Sequence, residues 1–246
     1  MNFPKLKVMS YNIHFTIGSD DKPNWKRTAD LLKEVDPDIV GLEEVTIFHH
    51  RSPKQDTVKE FRNYLKWNVL FGKAIDICEG KGQYGLAIAS KHPIKEVAKL
   101  YLPTPEGIEE RIVFIVKVFS PGGEFYCAVT HFSWDGEYPN DDQGRLESIR
   151  LITENAKNNN WYPMILTGDL NTFVGRPAIG YLHEHWDVAN DGEPDTPTAV
   201  LSFDRDRQID FIASYPKGSF QITDFSIHPD RQVSDHNAVI AMMEQR

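Results

Sequence analysis

Short apolar runs that end in a polar, chemistry-bearing residue recur along the whole chain. This pattern constrains the fold more than any other feature. Leu6–Ile13 has the β-favouring residues of a strand, and Asp38–Leu42 is the continuous apolar run expected of a buried one. Further strands are expected at Asn68–Ile75, Tyr84–Ala89, Ile94–Leu102, Arg111–Phe119, Phe125–His131, Pro163–Thr167, Ile209–Ala213, Phe220–Ile227 and Ala238–Met243. Helices fall between them. Asn24 can cap one that carries Trp25, Ala29, Leu32 and Val35 at spacings of three and four, stopped by Pro37. Others are expected from Thr57 to Trp67, over Asp141–Asn159 and over Pro177–His183. Pro121-Gly122-Gly123 marks a hairpin turn, and the stretch 190–207 reads as irregular. Both kinds of element are spread over the whole length, with no linker, repeat or charge block. One mixed α/β domain spanning 1–246 is the simplest reading.

Composition excludes several classes. The chain has 27 Lys and Arg against 36 Asp and Glu, a net charge of −9. A broad basic surface for nucleic acid is therefore excluded, though a local basic groove is not. No apolar run approaches the roughly 20 residues of a membrane span, so no transmembrane segment is expected. Two cysteines, Cys78 and Cys127, are too few for a disulfide scaffold or a zinc–cysteine site. Met1-Asn2-Phe3-Pro4-Lys5 runs directly into the first strand without an apolar leader. Taken literally this is a cytoplasmic protein; a secreted or periplasmic chain with its leader trimmed would read the same.

The chemistry gathers where strands end. Asn12 ends the first strand, Glu43-Glu44 the second, and His131 ends Phe125–His131. Asp169 and Asn171 follow the run Met164–Thr167, Asp210 sits in Ile209-Asp210-Phe211-Ile212, and Asp235-His236 precedes the last strand. Strand ends are rigid and their loops are open, so binding sites collect there. Taken singly, each residue has a plainer reading. Asn12 and Gly168-Asp169-Leu170-Asn171 suit turns, Glu43-Glu44 a solvated pair, and Asp235-His236 a cap. Asp210 resists that reading, because a carboxylate on an apolar strand is costly unless paired. An Asp beside a His holds the imidazole in one tautomer and stabilises its protonated form.

Together the residues form two kits. Glu44, Asp235 and Asn12 are hard oxygen donors, which suit Mg²⁺, or Mn²⁺ or Ca²⁺, better than zinc. His131, His236, Asp169, Asn171 and Asp210 are groups that align a water and stabilise a phosphoryl transition state. The combination fits metal-assisted hydrolysis of a phosphate ester.

The ordered series Ser10-Tyr11-Asn12-Ile13, Gly41-Leu42-Glu43-Glu44-Val45, Val129-Thr130-His131-Phe132, Gly168-Asp169-Leu170-Asn171, Ile209-Asp210-Phe211-Ile212 and Ser234-Asp235-His236 resembles the endonuclease/exonuclease/phosphatase superfamily. The resemblance spans residues 6 to 243. It implies a DNase I-like fold, a four-layer α/β sandwich with two central mixed sheets. It also implies one divalent metal, usually Mg²⁺, held mainly by Glu44 with Asn12 and Asp235 close by. Asp169 would orient the attacking water and Asn171 would bind the scissile phosphate. His236, paired with Asp210, and His131 would flank the phosphate as acid/base or oxyanion-stabilising groups. His131 and the Ser-Tyr-Asn-Ile opening resemble the branch that holds DNase I, sphingomyelinases, phosphoinositide phosphatases and small bacterial hydrolases. Arg145 and Thr196-Pro197-Thr198 resemble the small bacterial group.

Three positions depart from the family pattern. Glu43 stands where Gln is usual, which either adds negative charge beside Glu44 or only faces solvent. Gln208 stands where a basic residue is common, and Ser133 where an Asp often follows the histidine. Glu110 and Asp135 are the candidates for an acidic partner of His131. Glu110-Arg111 reads as a surface ion pair or, more sharply, as Arg111 near the phosphate. His49-His50 reads as a loop pair that could rim the site. Trp134 and Tyr138 could wall a pocket or cover the core.

The expected function is hydrolysis of phosphate esters, diesters over monoesters, by a monomer. A nuclease acting on DNA or RNA is the alternative, and a silent binding protein of the same fold a remote one. Duplex DNA is not favoured, since several Lys or Arg would have to line a groove. Acidic residues instead crowd the expected loops: Asp20-Asp21, Glu109-Glu110, Asp141-Asp142, Asp204 and Asp206. Arg51, Lys54, Arg111 and Arg176 could offset them only if folding brought them into one groove.

Overall fold

The apolar runs assemble into two sheets of six strands each. The computed structural model describes residues 5–52, 54–134, 141–190, 197–199 and 207–246. Asp135, Tyr138, Thr196, Asp204 and Asp206, all singled out in the sequence, lie outside the described residues. The first sheet holds β1 (Lys5–Asn12), β2 (Ile39–Ile47), β3 (Asn68–Ile77), β4 (Gly82–Ser90), β11 (Phe220–His228) and β12 (Ala238–Gln245). Their order is β11-β12-β1-β2-β4-β3. The second holds β5 (Ile94–Tyr101), β6 (Ile112–Ser120), β7 (Gly123–His131), β8 (Met164–Asp169), β9 (Asp187–Val188) and β10 (Asp210–Tyr215), in the order β5-β6-β7-β8-β10-β9. Both are mixed: β1–β2 and β7–β8 are parallel pairs within otherwise antiparallel sheets.

Local chemistry sets the helices. In α1 (Trp25–Val35) the Asn24 side chain accepts from the Arg27 N–H, as expected of a cap. In α2 (Thr57–Leu65) Asp56 does the same for Lys59, and left-handed Lys66 ends the helix just before the expected Trp67. Asp141 caps α3 (Asp142–Asn158) through the Gly144 N–H. α4 (Pro177–His185) opens on a proline, whose missing N–H is no loss there.

Three buried apolar clusters define the layers. Ile39, Leu86, Phe114 and Ile165 belong to the cluster between the two sheets. Leu32 and Phe61 pack with Met9 and Leu42 outside the first sheet, and Ile149 and Leu182 with Val113 and Leu166 outside the second. Full burial of each such side chain is worth about 1.5–3 kcal/mol. The result is helix, sheet, sheet, helix: a four-layer α/β sandwich, as the sequence implies.

Pairing register builds the site. His131 pairs with Asp169 across β7–β8, and Asp169 pairs with Asp210 across β8–β10. Residues directly opposite on paired strands share a face. The three polar residues therefore stand in one row along the edge of the second sheet. In the first sheet, Asn12 pairs with Glu43. The sequence places the end of β2 at Glu43-Glu44, but the strand continues to Ile47 through a bulge. Its register with β4 shifts between Leu42 and Val45, and Glu44 adopts a left-handed φ of 56°. A bulge re-aims a side chain, and here it turns Glu44 into the cavity described below.

The two sheets approach closely at Gly41. A Cβ there would lie 1.9 Å from Thr167 Oγ1 on the facing strand. Gly41→Ala is expected to destabilise the fold by about 1–3 kcal/mol. Gly180→Ala in α4, where a Cβ meets nothing within 4 Å, should gain about 0.5–1 kcal/mol. Urea unfolding of the two variants checks both signs.

Candidate active site

Asp169 is the hub. It ends β8, is 1% exposed, and uses both oxygens. Oδ1 accepts the Asn171 N–H at 2.9 Å, which the left-handed Asn171 (φ 47°) turns back toward it. Oδ2 accepts Asn12 Nδ2–H at 3.1 Å, and lies 3.4 Å from His131 Nε2 and 3.7 Å from His236 Nε2. Burial and the neighbouring Asp210 charge push the Asp169 carboxyl up to about 7, against the opposing pull of His236.

The two imidazoles around it are in opposite states. His236 Nδ1 lies 3.1 and 3.0 Å from the two oxygens of Asp210, which is completely buried. Burial alone would lower the His236 pKa, but the charge and hydrogen bond of Asp210 carry it well above the ordinary 6.5. His131 is held the other way. Its Nδ1 lies 3.2 Å from Arg111 Nη1 and 3.3 Å from the Tyr84 hydroxyl. A guanidinium only donates, so Nδ1 accepts and the ring proton sits on Nε2. Burial, Arg111 and His236 keep the His131 pKa well below 6.5, so the ring is a neutral donor.

Opposite these groups stand the oxygen donors. Glu44 lines the cavity with Asp235, and burial raises its carboxyl above the usual range, with His14 and Asn12 opposing. Asn12 is buried and does not line the cavity. Its Oδ1 accepts the His14 N–H at 3.0 Å, and its Nδ2 donates to Glu44 Oε1 at 3.1 Å. These partners fix the amide orientation, because a flipped amide would set its oxygen against two carboxylates. Asn12 thus braces Glu44 and Asp169. Asp169, Asp210 and His236 form a second group able to hold an ion, with ligand atoms within 4.8 Å of one another. Of these, Asp210 and His236 are engaged with each other and Asp169 with Asn171 and Asn12; Glu44 and Asp235 are the further carboxylates that line the cavity.

The cavity has a volume of about 340 Å³. Glu44, His131, Asp169, Asn171, Asp235 and His236 all line it, so the structure brings the cavity-facing part of the expected set together. Trp134 also lines it and is half exposed, as a wall residue would be. His14, Phe15 and Tyr84 line it too and were not singled out by the sequence. Their only signal is that His14 and Phe15 follow a strand-end Asn and that Tyr84 opens an apolar run.

Residues 9–236 match the Endonuclease/Exonuclease/phosphatase family. The chain belongs to this family. Endonucleases, exonucleases and phosphatases all hydrolyse phosphate esters, so this is a family of phosphoester hydrolases. Among curated protein sequences none matches the chain. The family's solved structures do. An endonuclease/exonuclease/phosphatase from Beutenbergia cavernae is 24% identical, with a TM-score of 0.80 over 98% of this chain and 72% of that one. The human Nocturnin catalytic domain with bound sulfate is 18% identical, with a TM-score of 0.72 over 100% and 95% of the two chains. The Bacteroides thetaiotaomicron mannosyl-6-phosphatase is 22% identical, with a TM-score of 0.69 over 97% and 99%. At these identities the likeness carries the DNase I-like fold.

Against the family pattern, the departures acquire physical reasons. Glu43 does not face solvent. It is completely buried under the site, where Ser10 donates to Oε1 at 3.2 Å. Burial, then Asp210 and Asp169, push its carboxyl well above the usual range. A protonated carboxyl has nearly the shape and the donor–acceptor character of the Gln amide it replaces. Ser133 donates to Asp141 at 2.5 Å, so a carboxylate still reaches this point from the α3 cap. Gln208 is buried and accepts from Asn190 at 3.2 Å. Glu110 is exposed and is not the partner of His131. Arg111 is buried rather than part of a surface pair; it lines the catalytic cavity, and among the described residues it forms an ion pair with Glu109 at 3.1 Å.

The sign of the His236 shift gives a test. Its raised folded pKa makes the stabilisation from the Asp210 pair complete below pH 6.5, and lost as pH rises through the folded value. Nitrogen NMR is expected to show His236 titrating above 6.5 and His131 still neutral well below it. Asp210→Asn should drop the His236 value and flatten the alkaline loss of stability.

Proposed function

We propose that the chain is a divalent-metal-dependent hydrolase of phosphate esters, with diesters favoured over monoesters. The observation that carries this reading is the Asp169 carboxylate, poised near neutrality between a charged and a neutral imidazole and facing Glu44 across one cavity. A group with a pKa near the working pH suits a general base. Asp169 Oδ2 takes a proton from a water as its oxygen attacks phosphorus. The ester P–O bond breaks on the far side, and His236 is the ring with a proton to give to the leaving oxygen. Asp210 holds that ring and its charge. His131 Nε2–H and the Asn171 amide donate to phosphate oxygens, where charge develops. Arg111, which also lines the cavity, fixes the His131 tautomer at Nδ1.

Glu44 and Asp235 fit a hard cation. Both are carboxylates facing the cavity, Glu44 is half-buried without a Lys or Arg partner among its described contacts, and no thiol joins them. Mg²⁺ is the first choice, with Mn²⁺ or Ca²⁺ also suited. Such an ion, when bound, supplies positive charge to the phosphate oxygens.

Small phosphoesters suit the site better than duplex DNA. Three of the four basic residues that could have formed a groove are engaged by acids. Arg51 bonds Asp21 at 2.8 Å, Arg176 bonds Asp142 at 3.0 Å, and Arg111 bonds Glu109. No described helix is long and apolar enough to cross a membrane.

Glu44→Gln is expected to weaken Mg²⁺ binding at least about 10–100-fold by calorimetry, with the fold retained. Asp169→Asn should lower kcat about 10²–10⁴-fold. A Mg²⁺ activity panel covering DNA, RNA, sphingomyelin, phosphoinositides and aryl phosphate mono- and diesters checks the class. Full turnover after thorough chelation, or duplex DNA preferred by a wide margin with a steep salt dependence, would overturn the reading.

A further inference from the structure

A second cavity, of about 430 Å³, adjoins the catalytic one. Phe15, Tyr84 and Glu109 line both, so the two are continuous. The far side of the second is made by His49, His50, Ile77 and Cys78. These come from the segment after β2 and from the β3–β4 turn, neither of which contributes to the phosphate chemistry.

The wall between the cavities is aromatic and deliberately placed. His14, Phe15 and Thr16 are consecutive left-handed residues, with φ of 42°, 54° and 66°. A bulky residue rarely holds this conformation, and strain of this kind collects at functional sites. The turn is held by Thr16 N–H to Ile13 O and Ile17 N–H to His14 O, both at 2.7 Å. It lays Phe15 flat against His49, with ring centroids 5.1 Å apart and planes 3° from parallel. Tyr84 meets the same ring at 5.8 Å. His49, read from the sequence as one of a loop pair, is thus a buried part of the wall. Burial, then His50 and Arg51, push its pKa down to about 4, so it is a neutral aromatic ring at physiological pH. No Lys or Arg lines the cavity among the described residues, and the Glu109 carboxylate is drawn toward Arg111.

We propose that this cavity is the subsite for the organic group carried by the phosphate, and that it takes a flat, uncharged aromatic or heteroaromatic ring. The inference rests on the hydrolase reading of the adjoining cavity and names its substrate class: aryl or heteroaryl phosphoesters. Flat rings stack on aromatic faces, whereas a second phosphate would meet no cation here. Stacking of one ring on an aromatic platform corresponds to about a 10- to 100-fold gain in affinity.

The test uses two non-hydrolysable probes, 1-naphthylphosphonate and methylphosphonate, with Mg²⁺ and the full chain. The naphthyl compound is expected to bind about 10- to 100-fold more tightly. Cys78→Trp fills the cavity at a residue outside the catalytic set. It should erase that difference and leave methylphosphonate binding unchanged. A readout without turnover comes from the thiols. Cys127 is fully buried and Cys78 is partly exposed, so a thiol reagent reports on Cys78. Naphthylphosphonate should slow that reaction and methylphosphonate should not. Equal binding of the two probes, or an aryl preference that survives Cys78→Trp, would overturn the subsite while leaving the hydrolase reading intact. An aryl preference in binding and in Cys78 protection, with no ester turned over, would support the subsite and count against the hydrolase reading alone.

Discussion

Burying carboxylates is the constraint on which this structure turns. Glu43, Asp169 and Asp210 are each at most 1% exposed, and all lie at the strand-end edge where the sheets meet. Such charges cannot all persist in a protein interior. The molecule resolves the conflict unequally. Asp210 is taken up by His236, whose protonated form it favours. Glu43 is pushed toward its neutral form by burial, then by Asp210 and Asp169. Asp169, between them, is left near neutrality, the one member of the set able to gain or lose a proton in the working range. The proposed chemistry follows from that imbalance.

The fold delivers the arrangement with little freedom. Two parallel pairs bring the ends of β1 and β2, and of β7 and β8, to one edge of the sandwich. The antiparallel β10 then begins where β8 ends, which sets Asp210 beside Asp169. The cross-strand row His131, Asp169, Asp210 is therefore a property of sheet register. Sliding β10 by one residue would turn Asp210 to the opposite face. The close approach at Gly41 and the bulge at Glu44 serve the same end from the other sheet. One lets the layers meet; the other swings a carboxylate out of the core into the cavity.

Much of this was legible in the sequence. Apolar runs with a polar terminus mark strands and their functional ends, so the elements and the residues Glu44, His131, Asp169, Asn171, Asp210, Asp235 and His236 could be singled out. What escaped depends on backbone geometry that composition does not encode. Nothing in Glu43-Glu44 says which glutamate is buried; the left-handed φ at Glu44 decides it. The partner of His131 was sought among acids because an acid is the usual imidazole partner. At Nδ1 the described residues supply Arg111, just before β6, and Tyr84, from β4, so that nitrogen accepts and the ring stays neutral. Phe15 was invisible because a phenylalanine after a strand reads as core. Only the left-handed turn sets it between two cavities.

In the proposed chemistry Asp169 works as a base while His236 works as a charged acid. The most direct measurement is the pH dependence of kcat/KM on a small aryl phosphodiester at saturating Mg²⁺. A bell-shaped profile is expected. Its acid limb reports the carboxylate, at or below about pH 7 because a nearby cation favours ionisation. Its alkaline limb lies above 6.5, where His236 loses its proton, and it moves to lower pH in Asp210→Asn. A profile without an alkaline limb, or one that Asp210→Asn leaves in place, would contradict it.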